Sequence, residues 1–98
     1  MFEIRIADDG AVVLAGRLDA SQCEKALQFL DAVAAPRVID LAALDYISSA
    51  GLGVLLKTQK RAMAGGQGLR LVNPNRHIRD IFRYAGFDRI FEIPPGAA

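Results

Sequence analysis

The sequence predicts an α/β fold, with a single mixed, mostly parallel sheet of about five strands and three main helices on one face. One observation behind this prediction is a pair of apolar runs on either side of Asp9-Gly10, because this dipeptide is a strong signal for a tight hairpin. The first strand must then run antiparallel to the second. The other observation is that helical and strand-like segments alternate through the rest of the chain, as parallel strands joined by crossover helices require. Right-handed crossovers between strands in sequential order place all three helices on the same face.

The strands are predicted from alternation and from branched apolar residues. Phe2, Ile4 and Ile6 alternate with charged residues, as in a strand with one buried face. Residues 11–18 are rich in branched apolar side chains and form the second strand. The remaining strands are shorter apolar runs, at 37–41, 69–72 and 90–93.

The helices are predicted from apolar residues three and four apart and from their end signals. The first begins at a capping box, Ser21 followed three residues later by Glu24, and ends near Pro36. The second ends at the glycine pair 65–66 and the third at Gly86. The apolar positions are Cys23, Ala26, Leu27, Leu30 and Ala34 in the first helix, Leu52, Leu55, Leu56 and Met63 in the second, and Ile78, Ile81, Phe82 and Ala85 in the third. No linker or repeat interrupts this order, so we expect residues 1–98 to form one domain.

Composition limits the kinds of partner and site. Lys and Arg total 12 against 11 Asp and Glu, so the net charge of +1 gives no global field for nucleic acid or an anionic membrane. Cys23 is the only cysteine, which excludes an internal disulfide and a thiol-rich metal site and suits a reducing cytosol. No apolar stretch approaches the roughly 20 residues that span a bilayer. We therefore expect a cytoplasmic protein without cofactor, metal, nucleic-acid partner or direct membrane insertion.

Catalytic motifs are missing from the sequence. The sole histidine, His77, lies at the start of the third helix, and no G-x-S-x-G elbow is present. The Gly51-x-Gly53 pair is too short for a dinucleotide-binding fingerprint. We therefore expect that the protein is not an enzyme.

The most informative stretch, residues 44–53, lies between a buried strand and the second helix. Small residues at such a helix start leave backbone N–H groups pointing outward, where an anion such as a phosphorylated serine would be stabilised. An alternative is purely structural: Ser48 or Ser49 caps the helix, while Gly51 and Gly53 let it pack close to the sheet. The local sequence leaves both interpretations open.

This stretch resembles the signature of STAS domains. Residues 38–41, VIDL, and 44–56, LDYISSAGLGVLL, are similar to the pattern D-L-S-x-L-x-F-I-D-S-S-G-L-G-V-L-L of the anti-sigma factor antagonists in that family. Residues 16–19, GRLD, resemble the G-x-L-D of the family at the end of the second strand. The resemblance covers nearly the whole chain.

The resemblance implies an anti-sigma factor antagonist, which binds an anti-sigma factor that is also a serine kinase of ATPase fold and so releases a sigma factor. In the family, phosphorylation of the serine before the first glycine of the motif ends this binding, and a serine phosphatase is a further implied partner. Here that residue is Ala50, so Ser49, and less favourably Ser48, is the candidate phosphate acceptor, unless the protein is a binder that does not switch. The implied partner-binding surface consists of Asp19, Ser48, Ser49, Ala50, Gly51 and Leu52, although capping of the first helix is an equally open role for Asp19.

The resemblance to this family also implies a second possible function. STAS-like chains also serve as non-catalytic subunits or scaffolds of larger assemblies, such as a lipid-transport ATPase or a stress-signalling complex. The missing hydroxyl at Ala50 favours such a role. In either function we expect a monomer or a weak dimer.

Overall fold

The amino-terminal hairpin is formed as predicted in the computed structural model, which describes residues 1–95. Its antiparallel strands are β1 (Phe2–Ile6) and β2 (Val12–Leu18). Gly16 in β2 has a φ of 86°, and a Cβ at this residue would overlap the carbonyl oxygen of Met1. The close approach of these two backbones therefore requires glycine.

Two further strands, β3 (Val38–Ile47) and β4 (Arg70–Val72), complete a sheet in the order β1-β2-β3-β4. β2, β3 and β4 pair in parallel. The helices are α1 (Cys23–Ala32), α2 (Ser49–Ala64) and α3 (Arg76–Tyr84). The predicted α/β class, with a mixed sheet and three helices, is confirmed.

β3 extends to Ile47, well beyond the predicted run at 37–41. Between Asp40 and Ala43 it advances three residues while β2 advances two, so one extra residue bulges out of the ladder. Leu41 and Leu44 are both buried, and the two alanines between them are exposed. The bulge breaks the period-2 alternation, which is why the second half of the strand was not recognised.

The predicted fifth strand at 90–93 is wrong, because only one parallel bridge, between Arg70 and Glu92, joins this segment to β4. After α3 the chain makes a 3-10 turn at Phe87–Arg89, and the ring of Phe87 packs against that of Phe91 with centroids 4.9 Å apart. The N–H of Leu71 donates to the carbonyl of Glu92 at 2.9 Å, so the segment contacts the sheet edge at this residue without forming a strand. The described sheet therefore has four strands rather than five.

α1 is shorter than predicted at both ends. The expected capping box at Ser21 and Glu24 is not formed; instead, the chain makes a 3-10 turn over Ala20–Gln22 before α1 begins. The helix ends at Ala32, where Arg61 of α2 donates hydrogen bonds to backbone carbonyls of the last turn and of the C-terminal cap. A long-range cap of this kind leaves no local signal in the sequence.

α2 buries only part of the predicted face, because Leu55 is buried and Leu52 is partly buried, but the other two predicted positions are not. Leu56 and Met63 are 39% and 59% exposed, whereas Thr58 and Gln59 are buried. Both buried polar side chains are hydrogen-bonded, and Thr58 donates to the carbonyl of Val54 at 2.9 Å. Apolar periodicity could not identify this face, because satisfied polar groups occupy part of it. Ala85, predicted on the inner face of the third helix, is exposed after the end of α3.

The core lies on one face of the sheet. Buried side chains of the four strands and the three helices form one apolar cluster, including Leu14, Ile39 and Leu71 of the sheet and Leu30, Leu55 and Phe82 of the helices. On the opposite face of β2, Val13 and Ala15 are half-buried and Arg17 is exposed. This one-sided burial agrees with the prediction that all three helices pack on the same face.

Gln59 joins α2 to the carboxyl-terminal segment, so its loss should destabilise the fold. Its Oε1 accepts from the N–H of Leu69 at 2.7 Å, and its Nε2 donates to the carbonyl of Ile90 at 2.8 Å. Replacing Gln59 by Met keeps the volume but leaves both backbone groups unpaired, which should lower the free energy of unfolding by about 1–3 kcal/mol. Urea denaturation would measure the loss. Gln28→Met, at an exposed position whose side-chain contact with Glu24 is long at 3.4 Å, is the control and should change stability by less than about 0.5 kcal/mol.

Candidate functional site

The candidate site forms where two neighbouring parallel strands end. β2 ends at Leu18 and β3 at Ile47, and the N–H of Ser48 donates a hydrogen bond of 2.9 Å to the carbonyl of Leu18. This bond holds the turn that follows β2 beside the start of α2. The structure thus brings the Asp19 turn and residues 48–52 together, in the arrangement that the sequence predicted.

Ser48 is the amino-terminal cap of α2. Its hydroxyl accepts the N–H of Gly51 at 3.1 Å, and its carbonyl accepts the N–H of Leu52 at 2.9 Å. Its side chain is half-buried, whereas those of Ser49 and Ala50 are exposed on the first turn. Of the two serines, Ser48 therefore has a structural task, and Ser49 presents its hydroxyl to solvent.

The two glycines of the motif have different roles. A Cβ at Gly51 would lie 2.7 Å from Ile47 Cγ1 and 3.1 Å from the carbonyl oxygen of Leu18. A Cβ at Gly53 would meet nothing within 4 Å. The structural interpretation is therefore right for Gly51 and wrong for Gly53, which does not pack against the sheet.

Asp19 caps the 3-10 turn that precedes α1. Its carboxylate accepts hydrogen bonds from the hydroxyl of Ser21 at 2.6 Å and from the N–H of the same residue at 3.0 Å. The hydroxyl contact is the main reason why the pKa of Asp19 lies below its usual value, and the N–H groups of Ser21 and Gln22 and the charge of Arg17 lower it further. The carboxylate therefore stays ionised at neutral pH while shaping the turn beside α2.

Ser21→Ala should raise the pKa of Asp19 toward its usual value, because the strongest hydrogen bond to the ionised form is lost. In the wild type the lowered pKa stabilises the fold above the ordinary aspartate range of about 4, and this contribution disappears as the pH falls through the folded-state value. NMR titration of the Asp19 carboxyl in both proteins would measure the change. Ser49→Ala is the control and should leave the pKa of Asp19 unchanged. If Asp19 has the same pKa in the wild type and in Ser21→Ala, the Ser21 hydroxyl is not what lowers it.

A shallow groove of about 440 Å³ runs beside this surface, between α1 and α2. Sequence analysis did not identify it. Its lining consists of Cys23, Glu24 and Leu27 from α1 and Ala50, Gly53, Val54 and Lys57 from α2. The spacing of Ala50, Gly53, Val54 and Lys57, three and four apart, was the available signal, since it places them on one helix face. The α1 residues on the other side of the groove could not be predicted, because the local sequence does not specify how α1 packs against α2.

Other predicted features lie away from this surface. His77 is exposed on α3, and the structure gives it no hydrogen bond to a serine in the described range. Among residues 1–95, no three His, Cys, Asp or Glu side chains are placed to hold one metal ion. In the same part of the chain, no helix combines the length and apolar character that crossing a bilayer needs.

Comparison with known proteins agrees with this architecture. A Bordetella bronchiseptica protein, BtrV, described as an anti-sigma factor antagonist, is 43% identical over 56 residues, which are 57% of this chain and 48% of that protein. The match therefore spans about half the length of this relative. An anti-sigma factor antagonist from Mycobacterium paratuberculosis has a crystal structure that superposes with a TM-score of 0.81 at 25% identity, covering 97% of this chain and 85% of that one. The crystal structure of a Thermotoga maritima protein of the same description superposes with a TM-score of 0.77 at 25% identity. The superposition covers 95% of this chain and 85% of that one.

The family model that matches is described as "Mlab, STAS domain", and it covers residues 3–93. The matched range includes both strand ends, the Asp19 turn and all of α2. The resemblance seen at residues 38–56 is thus one part of a match over nearly the whole chain. This chain belongs to the STAS domain family.

Proposed function

We propose that this chain is an anti-sigma factor antagonist, which binds an anti-sigma factor and so releases a sigma factor. The observation that carries the proposal is the exposed first turn of α2, where the signature residues Ser49 and Ala50 lie beside the groove between α1 and α2. BtrV and the two structural relatives share the description of anti-sigma factor antagonist. Binding rather than catalysis is the chemistry that this surface supports, because no base lies within hydrogen-bond distance of either serine hydroxyl in the described chain.

The shape of this surface suits a protein partner. Ser49, Ala50 and Gly53 have small side chains or none, so a partner can approach the backbone of α2 closely. The half-buried Leu27 offers apolar area, and the exposed Lys57 adds a charge that can fix the orientation of the partner. An apolar contact with a few charges at its border is typical of a specific interface.

The proposal includes the finer features that the family resemblance implies. The partner would be an anti-sigma factor with a serine kinase of ATPase fold, acting in the cytoplasm. Ser49 would be the acceptor, because its hydroxyl is exposed while that of Ser48 accepts the N–H of Gly51. A serine phosphatase would then reverse the modification.

Release of sigma factor from purified anti-sigma factor complexes of the source organism tests this function. We expect the wild-type chain to displace sigma factor from one of them, as measured by native mass spectrometry. Ser49→Arg should weaken binding by about thirtyfold, because a long charged side chain would fill the centre of the contact. Ala64→Arg, at the exposed far end of α2, is the matched control and should bind as the wild type does. Unchanged affinity of a folded Ser49→Arg protein would show that the surface is wrong.

A second function is favoured by one observation, the methyl group of Ala50 at the position where the family carries its acceptor hydroxyl. A chain that does not switch is suited to serve as a constitutive subunit or scaffold, as in a lipid-transport ATPase or a stress-signalling complex. In that case the wild-type chain would co-purify with the assembly in constant ratio and would release no sigma factor. The same Ser49→Arg and Ala64→Arg pair would then show whether the assembly uses this surface.

A further inference from the structure

We propose that β1 pairs with β1 of a second copy of this chain, antiparallel and centred on Ile4, so that two four-stranded sheets join into one. The contact uses the outer edge of the sheet. It is separate from the surface formed by the Asp19 turn and α2, so the inference goes beyond the proposed function.

The backbone of β1 has an open hydrogen-bonding edge. β1 is the first strand in the sheet order, and within residues 1–95 only β2 pairs with it. The N–H of Arg17 donates to the carbonyl of Met1, and the N–H of Ala7 donates to the carbonyl of Ala11, both at 2.8 Å. Odd-numbered residues at this end of the chain therefore face β2. Because antiparallel ladders alternate, the N–H and C=O groups of the even-numbered residues of β1 point outward.

A two-fold pairing centred on Ile4 satisfies all these outward groups. Ile4 of one copy lies opposite Ile4 of the other, and Phe2 lies opposite Ile6. Each opposed pair consists of two residues whose N–H and C=O groups both point outward, so each pair exchanges two hydrogen bonds. A slip by one residue would place outward groups against inward ones and would move every apolar side chain to the other face.

Charge selects the same register. With Ile4 opposite Ile4, Glu3 of each copy lies opposite Arg5 of the other, in the closely spaced positions of the ladder where opposite charges attract. A shift of two residues one way would oppose Glu3 to Glu3, and a shift the other way Arg5 to Arg5. Charged side chains on an edge usually discourage pairing with another chain. In this strand the two charges have opposite sign and lie two residues apart, so self-pairing neutralises both.

The apolar face of β1 also gains from pairing. Ile6 is 53% exposed and Ile4 is half-buried, and both lie on the face that carries the core. In the dimer each Ile6 packs beside Phe2 of the other copy. One pair of five-residue strands buries less than the roughly 1,000 Å² of a stable interface, so the dimer should be weak and dependent on concentration.

Sedimentation velocity of the isolated chain up to about 1 mM should show a monomer–dimer equilibrium that weakens as salt is added. Glu3→Arg and Arg5→Glu each oppose like charges twice, so each should raise the dissociation constant by about tenfold or more. An equimolar mixture of these two variants opposes only unlike charges and should recover the dimer. Arg76→Glu, an exposed change with the same charge difference as Arg5→Glu, is the control and should associate as the wild type does.

Amide exchange followed by NMR reports the register. Raising the concentration should slow exchange at Ile4 and Ile6, whose N–H groups face outward, and leave Glu3 and Arg5 unchanged because they already pair with β2. Ile6→Pro removes one outward donor without breaking the β1–β2 ladder and should also prevent association. A wild-type chain that stays monomeric at 1 mM, or an association unaffected by Glu3→Arg, Arg5→Glu and Ile6→Pro, would overturn the proposal.

Discussion

Replacing Gly51 by alanine should lower the free energy of unfolding by about 1–2 kcal/mol, although alanine is the better helix former. The added Cβ would lie 2.7 Å from Ile47 Cγ1, 3.0 Å from Leu18 Cγ and 3.1 Å from the Leu18 carbonyl oxygen. Overpacking of this kind costs roughly 1–3 kcal/mol, and here the backbone oxygen can move only with β2. The higher helix propensity of alanine stabilises the variant by up to about 1 kcal/mol, which is less than the cost of overpacking, so the net change is still destabilising.

Gly53→Ala is the matched control, two residues further along the same helix. Its Cβ meets nothing within 4 Å, so only helix propensity acts, and the variant should be more stable than the wild type by about 0.5–1 kcal/mol. In a chain of this size the two variants should differ in melting temperature by about 10 °C. If Gly51→Ala and Gly53→Ala change the stability in the same direction and by similar amounts, the start of α2 does not pack on Leu18 and Ile47 as it does in the structure.

This pair of glycines shows what local sequence can and cannot predict. The stretch at residues 44–53 predicted a helix start beside a strand end, because caps and small residues act on their immediate neighbours. It could not distinguish Gly51 from Gly53, since the difference arises from packing against Ile47 at the end of β3 and against Leu18, 33 residues earlier in the chain. The groove was missed for the same reason, because half of it belongs to α1.

The errors in the fold have the same physical origin. The carboxyl half of β3 was missed because a bulge interrupts its alternation, and the bulge exists only through pairing with β2. The predicted strand at 90–93 has the correct composition, but after the 3-10 turn at Phe87–Arg89 it meets β4 through a single bridge, so its failure to pair depends on how it reaches a distant strand. The end of α1 is capped by Arg61 from another helix. The hairpin, which adjacent residues determine, was predicted, whereas the extent of β3 and the cap of α1 by Arg61, which depend on distant partners, were not.

Incubation with the cognate kinase and ATP should place one phosphate on Ser49, and this rests on the proposed function. Ser49 is exposed at the first position of α2, whereas the hydroxyl of Ser48 accepts the N–H of Gly51 and Ala50 has no hydroxyl. A phosphate on Ser49 would be stabilised within the chain, because it lies at the positive end of the helix dipole beside backbone N–H groups. The melting temperature should therefore not fall on modification.

Binding should nevertheless fall by about tenfold or more, because the phosphate adds a charge of nearly −2 at the border of an apolar groove, where a partner must desolvate it. Mass spectrometry should find the phosphate in the wild type and in Ser48→Ala but not in Ser49→Ala. Ser48→Ala removes the hydroxyl that caps α2 and leaves the acceptor in place. Phosphate that persists in Ser49→Ala would assign the acceptor to another residue. If the wild type stays unmodified while Ala50→Ser becomes phosphorylated, the kinase still recognises this helix start, but the native chain is a constitutive binder, because its acceptor position carries a methyl group.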